Sequence, residues 1–154
     1  MQRRSRDRNV RAFEFMMRNE RKIREAVEEA RASKKSRTGR TPTGHAYISD
    51  PTAGEAIRNA EELHFVEIES GGRVEWPERW LRVIDAVRTW CEPIPIRREI
   101  LRRRYSGESW VKTCAEIKTA EGRHLSESKY HRIVMGICNY AVKCAIQVRI
   151  IKIF

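Results

Sequence analysis

No apolar run in the chain approaches the roughly 20 residues that a membrane span needs, so no membrane partner is expected. The opening residues, MQRRSRDR, lack the apolar core of a signal peptide, and the two absences together predict a cytoplasmic location. There is no Gly-rich phosphate loop, no HExxH and no GxSxG. Acidic side chains sit beside Arg or Lys on helical stretches, where they read as surface ion pairs rather than paired catalytic carboxylates. No catalytic residue is nominated, and the chain is expected not to be an enzyme. His45, His64, His124 and His131 are not spaced with the cysteines as a zinc site requires, so no metal ligand and no cofactor is expected. The four cysteines, Cys91, Cys114, Cys138 and Cys144, form no CxxC pair. Each falls in an apolar helical stretch and reads as a reduced core thiol.

What the chain has in excess is positive charge. Its 154 residues carry 32 Lys and Arg against 21 Asp and Glu, a net +11 with a pI near 10.0. That balance points to a polyanionic partner, most simply nucleic acid. Much of the charge lies in residues 1–40, which hold fourteen Lys and Arg against six Asp and Glu. From Arg8 to Ser33 there is no Gly or Pro, and good helix formers predict one helix. Phe13, Met16, Met17, Ile23, Val27 and Ala30 give it a broken apolar stripe, and basic, Ser-rich ends flank it. Two readings are open for this segment: a solvated helix docked on the core or on a partner subunit, and a DNA-contacting arm. Thr41-Pro42-Thr43-Gly44 breaks the chain. The division expected is therefore a basic N-terminal helical arm over 1–40 and a helical domain over 41–154.

Asp50 and Pro51 suit the N-cap and first position of a short helix running to about Leu63, with Ala53, Ile57, Ala60 and Leu63 inward. Alternation on either side of Ser70-Gly71-Gly72 predicts a small β-hairpin near 64–76. The next helix opens at Pro77 and buries Trp76, Trp80, Ile84, Val87 and either Trp90 or Cys91. Base stacking by a tryptophan is the lesser reading beside core packing. Glu92-Pro93-Ile94-Pro95 separates that helix from the next. Beyond Ala145 the chain is strongly apolar. Its terminus must fold back or meet another copy, and both helix and strand remain open for it. A homo-oligomer through the N-terminal helix or this terminus is the expectation.

The stretch from Ile96 to Ala145 reads as three successive helices. The first, over Ile96–Tyr105, places Ile96, Ile100 and Leu101 inside and Arg97, Arg98, Arg102, Arg103 and Arg104 around it. The second, about Glu108 to Thr119, has Trp110, Val111, Cys114, Ala115 and Ile117 as its apolar set. It ends in the Gly-containing turn Ala120-Glu121-Gly122-Arg123-His124, longer than the three to four residues usual in a helix-turn-helix. The third begins at Ser126, a good N-cap, with Leu125 and Tyr130 spaced for a hydrophobic staple. Tyr130, Ile133, Val134, Ile137, Cys138, Ala141 and Ala145 recur at helical spacing. The opposite face carries Ser128, Arg132, Asn139 and Lys143, flanked by Lys129 and His131. A capped helix that is apolar behind and cationic in front suits a DNA-reading role. The fold class predicted is mainly α, with a C-terminal helix-turn-helix at about 96–145.

The run Ile100-Leu101-Arg102-Arg103-Arg104-Tyr105, then Trp110, then Leu125 to His131 resembles the sigma-factor region-four-like helix-turn-helix of phage late-transcription activators (RinA/ArpU-like). Ser49 to Ile57 and Pro77 to Ile84 match further segments of such regulators, and the resemblance spans Ser49 to about Ala145. It implies a sequence-specific double-stranded-DNA-binding regulator of phage or prophage origin, acting in a bacterial host cell. It further implies activation of late genes and contact with host RNA polymerase. The alternative is a phage small terminase subunit, which binds DNA for packaging as a ring. By the resemblance, Ser128, Lys129, His131 and Arg132 face the bases. Arg102, Arg103, Arg104, Lys112, Arg123 and Asn139 complete the expected DNA-binding set.

Overall fold

The computed structural model describes residues 2–36, 61–69 and 72–151. It is mainly helical, with one small antiparallel hairpin. In chain order come α1 (Gln2–Arg18), α2 (Glu20–Ser36), β1 (Phe65–Ile68), β2 (Gly72–Glu75), α3 (Pro77–Cys91), α4 (Pro95–Tyr105), α5 (Trp110–Glu116) and α6 (Glu127–Gln147). The linker at Thr41–Gly44, most of the helix expected from Asp50, and residues 152–154 lie outside the described residues. The chain divides into two compact units, Glu20–Glu78 and the remainder, Met1–Asn19 with Arg79–Phe154.

The N-terminal segment differs from the single helix expected. It is two helices that break at Asn19, whose backbone N–H and side-chain amide both donate to the Phe15 carbonyl, at 3.1 and 2.9 Å. An amide side chain competing for a carbonyl at the helix end ends the run, and Glu20 then opens α2 with a favourable charge in its first turn.

In the Glu20–Glu78 unit, α2 packs on β1. The strands pair Phe65 with Glu75, Val66 with Val74, Glu67 with Arg73 and Ile68 with Gly72. Val66, Ile68 and Val74 point to the buried face, as period-two alternation requires, and Ile23 and Leu63 are buried too. On the other face the Arg73 guanidinium lies 3.9 Å from the centroid of the exposed Phe65 ring. Glu78 ties the unit together: its carboxylate accepts from Arg31 at 2.6 Å and from the Leu63 backbone N–H at 2.9 Å.

In the other unit, α1, α4 and α5 all pack against α6. Phe13 is fully buried, with Met16 and Met17 beside it on the same helix face, and the Phe13 ring meets Tyr105 edge-on at 6.3 Å. Of the tryptophans expected inside, Trp80 is buried at 4 % exposure, while Trp76 and Trp90 are only half-buried; Cys91 fills the interior position at the end of α3. Trp90 instead stacks on Tyr140 at 4.5 Å, and the Arg97 guanidinium lies 4.0 Å from its ring centroid. All four cysteines are buried free thiols. Burial pushes the Cys138 thiol up to about 11, which keeps it protonated and unreactive.

Candidate nucleic-acid interface

α4 stops where Gly107 turns left-handed (φ +90°), with Ser106 N–H donating to the Arg102 carbonyl and Glu108 N–H to that of Arg103. Ser109 then caps α5, its hydroxyl accepting from Lys112 N–H at 3.3 Å. α5 is shorter than expected at both ends. Ile117 is already extended (φ −81°, ψ 125°), so the helix does not reach Thr119. Cys114 and Ile117 are buried as the apolar spacing requires, but Trp110, Val111 and Ala115 are exposed. Seven residues leave too few turns for a continuous apolar stripe to be covered by one neighbouring helix.

The link from α5 to α6 is ten residues, 117–126, and it folds into a small finger. Lys118 bridges antiparallel to His124, Thr119 N–H donates to the Arg123 carbonyl, and Gly122 N–H donates back to the Thr119 carbonyl. Gly122 takes φ +74°; a four-residue turn closed by a left-handed glycine is the usual architecture of a three-residue hairpin loop. Leu125 N–H donates to the Ile117 carbonyl at 3.0 Å, which closes the base of the finger and sets where α6 begins.

α6 starts as the sequence predicts. The Ser126 hydroxyl accepts from Lys129 N–H at 3.3 Å, and Leu125 and Tyr130, at the two staple positions, are 3 % and 1 % exposed. Its inward face is Tyr130, Val134, Ile137, Cys138, Ala141, Cys144 and Ala145; Ile133 is half-buried at its margin. The helix ends with Arg149 left-handed (φ 59°), its N–H on the Ile146 carbonyl and Ile150 N–H on that of Ala145. This is a Schellman closure, and it decides the open question at the C-terminus in favour of helix as far as Gln147.

The outward face of α6 presents Ser128, Lys129, His131, Arg132, Met135 and Lys143 as exposed residues, with Asn139 half-buried among them. Among the described residues Arg132 makes no ion pair, neither with Glu121 nor with Glu127. His131 Nε2 is 3.6 Å from the Glu127 carboxylate, and its ring lies 5.8 Å from that of Trp110. The Glu121 carboxyl is lowered first by the nearby Thr119 hydroxyl, then by its own backbone N–H, and further by the Lys129 charge. Arg123 is exposed on the finger, and Lys112 is 3.9 Å from Glu116.

The arginines of α4 do not join this surface as a set. Arg103, with only 15 % of its side chain exposed, is held by Glu99 at 2.6 Å, by Glu108 at 3.2 Å and by Glu116. Arg104 pairs with Glu14 and donates to the Tyr130 hydroxyl at 3.4 Å. Arg102 remains outward, though it binds Glu99 at 2.7 and 3.1 Å. The hydrogen bonds from Arg102 and Arg103 hold the Glu99 carboxyl down to about 2. Arg103 and Arg104 therefore serve as internal ties. Nothing in their local sequence distinguishes them from Arg102, because beyond Glu99, which Arg102 and Arg103 share, their partners come from α1, the α4–α5 turn, α5 and α6.

Beside Lys129, a cleft of about 620 Å³ is lined by Pro95, Ile96, Ile117 and Ala120, with Glu99, Glu116 and Glu121 balanced by Arg103, Lys118 and Lys129. Equal numbers of each sign give it no pull on an anion. Sequence reasoning missed Met135, although counting 100° per residue from Ser128 places it on the outward face. Comparison with protein-family models, with curated proteins and with solved structures finds no match to the chain.

Proposed function

We propose that this chain is a sequence-specific double-stranded-DNA-binding regulator that reads a major groove with α6. The observation that carries the reading is Arg132: an exposed guanidinium on a capped helix, opposite its buried face, with no carboxylate partner among the described residues. Tyr130, Val134 and Ile137, buried behind it, fix the rotation of the helix. The net charge of +11 supplies the sequence-independent attraction to phosphates. Origin in a phage or prophage, activation of late genes and contact with host RNA polymerase rest on the resemblance of residues 49–145 to phage late-transcription activators.

Selection from a pool of random duplexes tests the reading directly. A single enriched motif, bound at least ~10³-fold more tightly than random duplex, is the expected result. Recovery of no motif, with equal affinity for all duplexes at every salt concentration, defeats it.

A further inference from the structure

The polar face of α6 contains one residue that does not belong there on composition. Met135 is 44 % exposed, and it lies seven residues after Ser128, three after Arg132 and four after His131. Ser128, His131, Arg132 and Met135 thus form a single i, i+3, i+4, i+7 row on the exposed face of α6. Asn139 and Lys143 continue the outward face beyond it. The exposed part of this long apolar side chain, left in water amid cations, gains nothing from the fold, and the inward face is already filled by Tyr130, Val134, Ile137 and Cys138.

The chemistry of the row assigns each member a different kind of contact. Arg132 suits the paired acceptors of guanine, and Ser128 and His131 suit single hydrogen bonds. Met135 has no strong donor or acceptor to offer. In a major groove the apolar feature available to it is the 5-methyl group of thymine. With a rise of 1.5 Å per residue, Met135 sits about 4.5 Å further along α6 than Arg132. That is one to two base steps at ~3.4 Å each.

We infer that Met135 is a specificity-determining residue that recognises the methyl group of a thymine one or two base pairs from the position read by Arg132. The inference rests on the DNA-reading proposal above. It concerns a single substituent of one base, so the two can fail separately.

The test replaces each thymine of the selected site, one at a time, with deoxyuridine, which differs only by loss of the 5-methyl group. The full-length protein should lose about three- to fivefold in affinity at one thymine, the value of one buried methyl group, and nothing at the others. Met135→Ala should bind the thymine site more weakly and show no further loss with deoxyuridine. Met135→Leu should restore the penalty. The partial exposure of Met135 predicts at most a small fall in unfolding temperature for either variant, which keeps the comparison interpretable. A selected site at which deoxyuridine is neutral everywhere, or a deoxyuridine penalty that survives in Met135→Ala, overturns the inference and leaves the DNA-reading proposal standing. Absence of any selected site overturns both.

Discussion

Arg132 and Lys129 stand three residues apart on the same helix, yet their surroundings differ. Arg132 is outward and has no ion-pair partner among the described residues, whereas Lys129 sits on the flank, beside the finger and near the Glu121 carboxylate. Arg132→Ala is expected to relax specificity at one base pair by about 1–3 kcal/mol. Lys129→Ala should instead weaken binding by a similar factor at every sequence and flatten the salt dependence by about one unit of slope. A panel of single-base variants of the selected site, titrated at several salt concentrations, separates these outcomes; uniform losses for Arg132→Ala would deny it the reading role. Glu99 gives a prediction of another kind. Its carboxyl is held at about 2 in the fold against 4.5 ordinarily, by the hydrogen bonds from Arg102 and Arg103. A depressed carboxylate contributes stability that is present above its unfolded value and lost as pH falls through the folded one. Stability should therefore decline between about pH 4.5 and 2, and Glu99→Gln should remove part of that decline. Acid titrations of the two proteins followed by circular dichroism check this, and identical pH profiles would show that the pair contributes nothing.

Among the elements, the finger and the cap together decide where α6 starts and hence which residues lead it. Ser126 contributes the cap, and Ser126→Ala should cost about 1 kcal/mol. Gly122 contributes the left-handed closing residue at φ +74°, and a Cβ there meets nothing within 4 Å. The expected cost of Gly122→Ala is thus the backbone term alone, about 1–2 kcal/mol, with no steric penalty added. Thermal unfolding of both variants measures these values. A neutral Gly122→Ala would mean that the finger can re-form without its turn. α4 illustrates a different lesson: its arginine run looks like one basic patch in sequence. In the fold it separates into an outward Arg102, an Arg103 clamped by three carboxylates and an Arg104 tied to Glu14 and Tyr130.

For the molecule as a whole, the decisive feature is that α1 belongs with α6. Phe13 is fully buried and Met16 and Met17 nearly so, which excludes a purely solvated arm for this part of the chain. Phe13→Ala should destabilise by about 3–5 kcal/mol, the range for truncating a buried aromatic side chain. Unchanged denaturant midpoints for that variant would return α1 to the status of an appendage. The same packing means that deleting residues 1–40 removes core side chains together with much of the positive charge, so point changes are the cleaner way to weigh the charge. Glu14 contributes on the same helix, through its pairing with Arg104.

Local chemistry was enough for several features of this protein. The mainly helical class, the hairpin near 64–76, the N-cap at Ser126, the interior position of Trp80 and the buried face of α6 all follow from periodicity and capping. Those signals reside within a few consecutive residues, and they locate Arg132 outward as well. Tertiary structure alone decided the rest. The fates of Arg103 and Arg104 depend on Glu116, thirteen residues later, and on Glu14, ninety residues earlier; no window of sequence contains such partners. The break at Asn19 is a local event, but the destination of α1 is set by its contact with α6 across more than a hundred residues. The shortened α5 and its finger arise because Ile117 leaves the helix to pair with Leu125. Side-chain type and spacing fix what a segment can bury, and only the arrival of distant elements determines what it does bury and which charges remain for a partner.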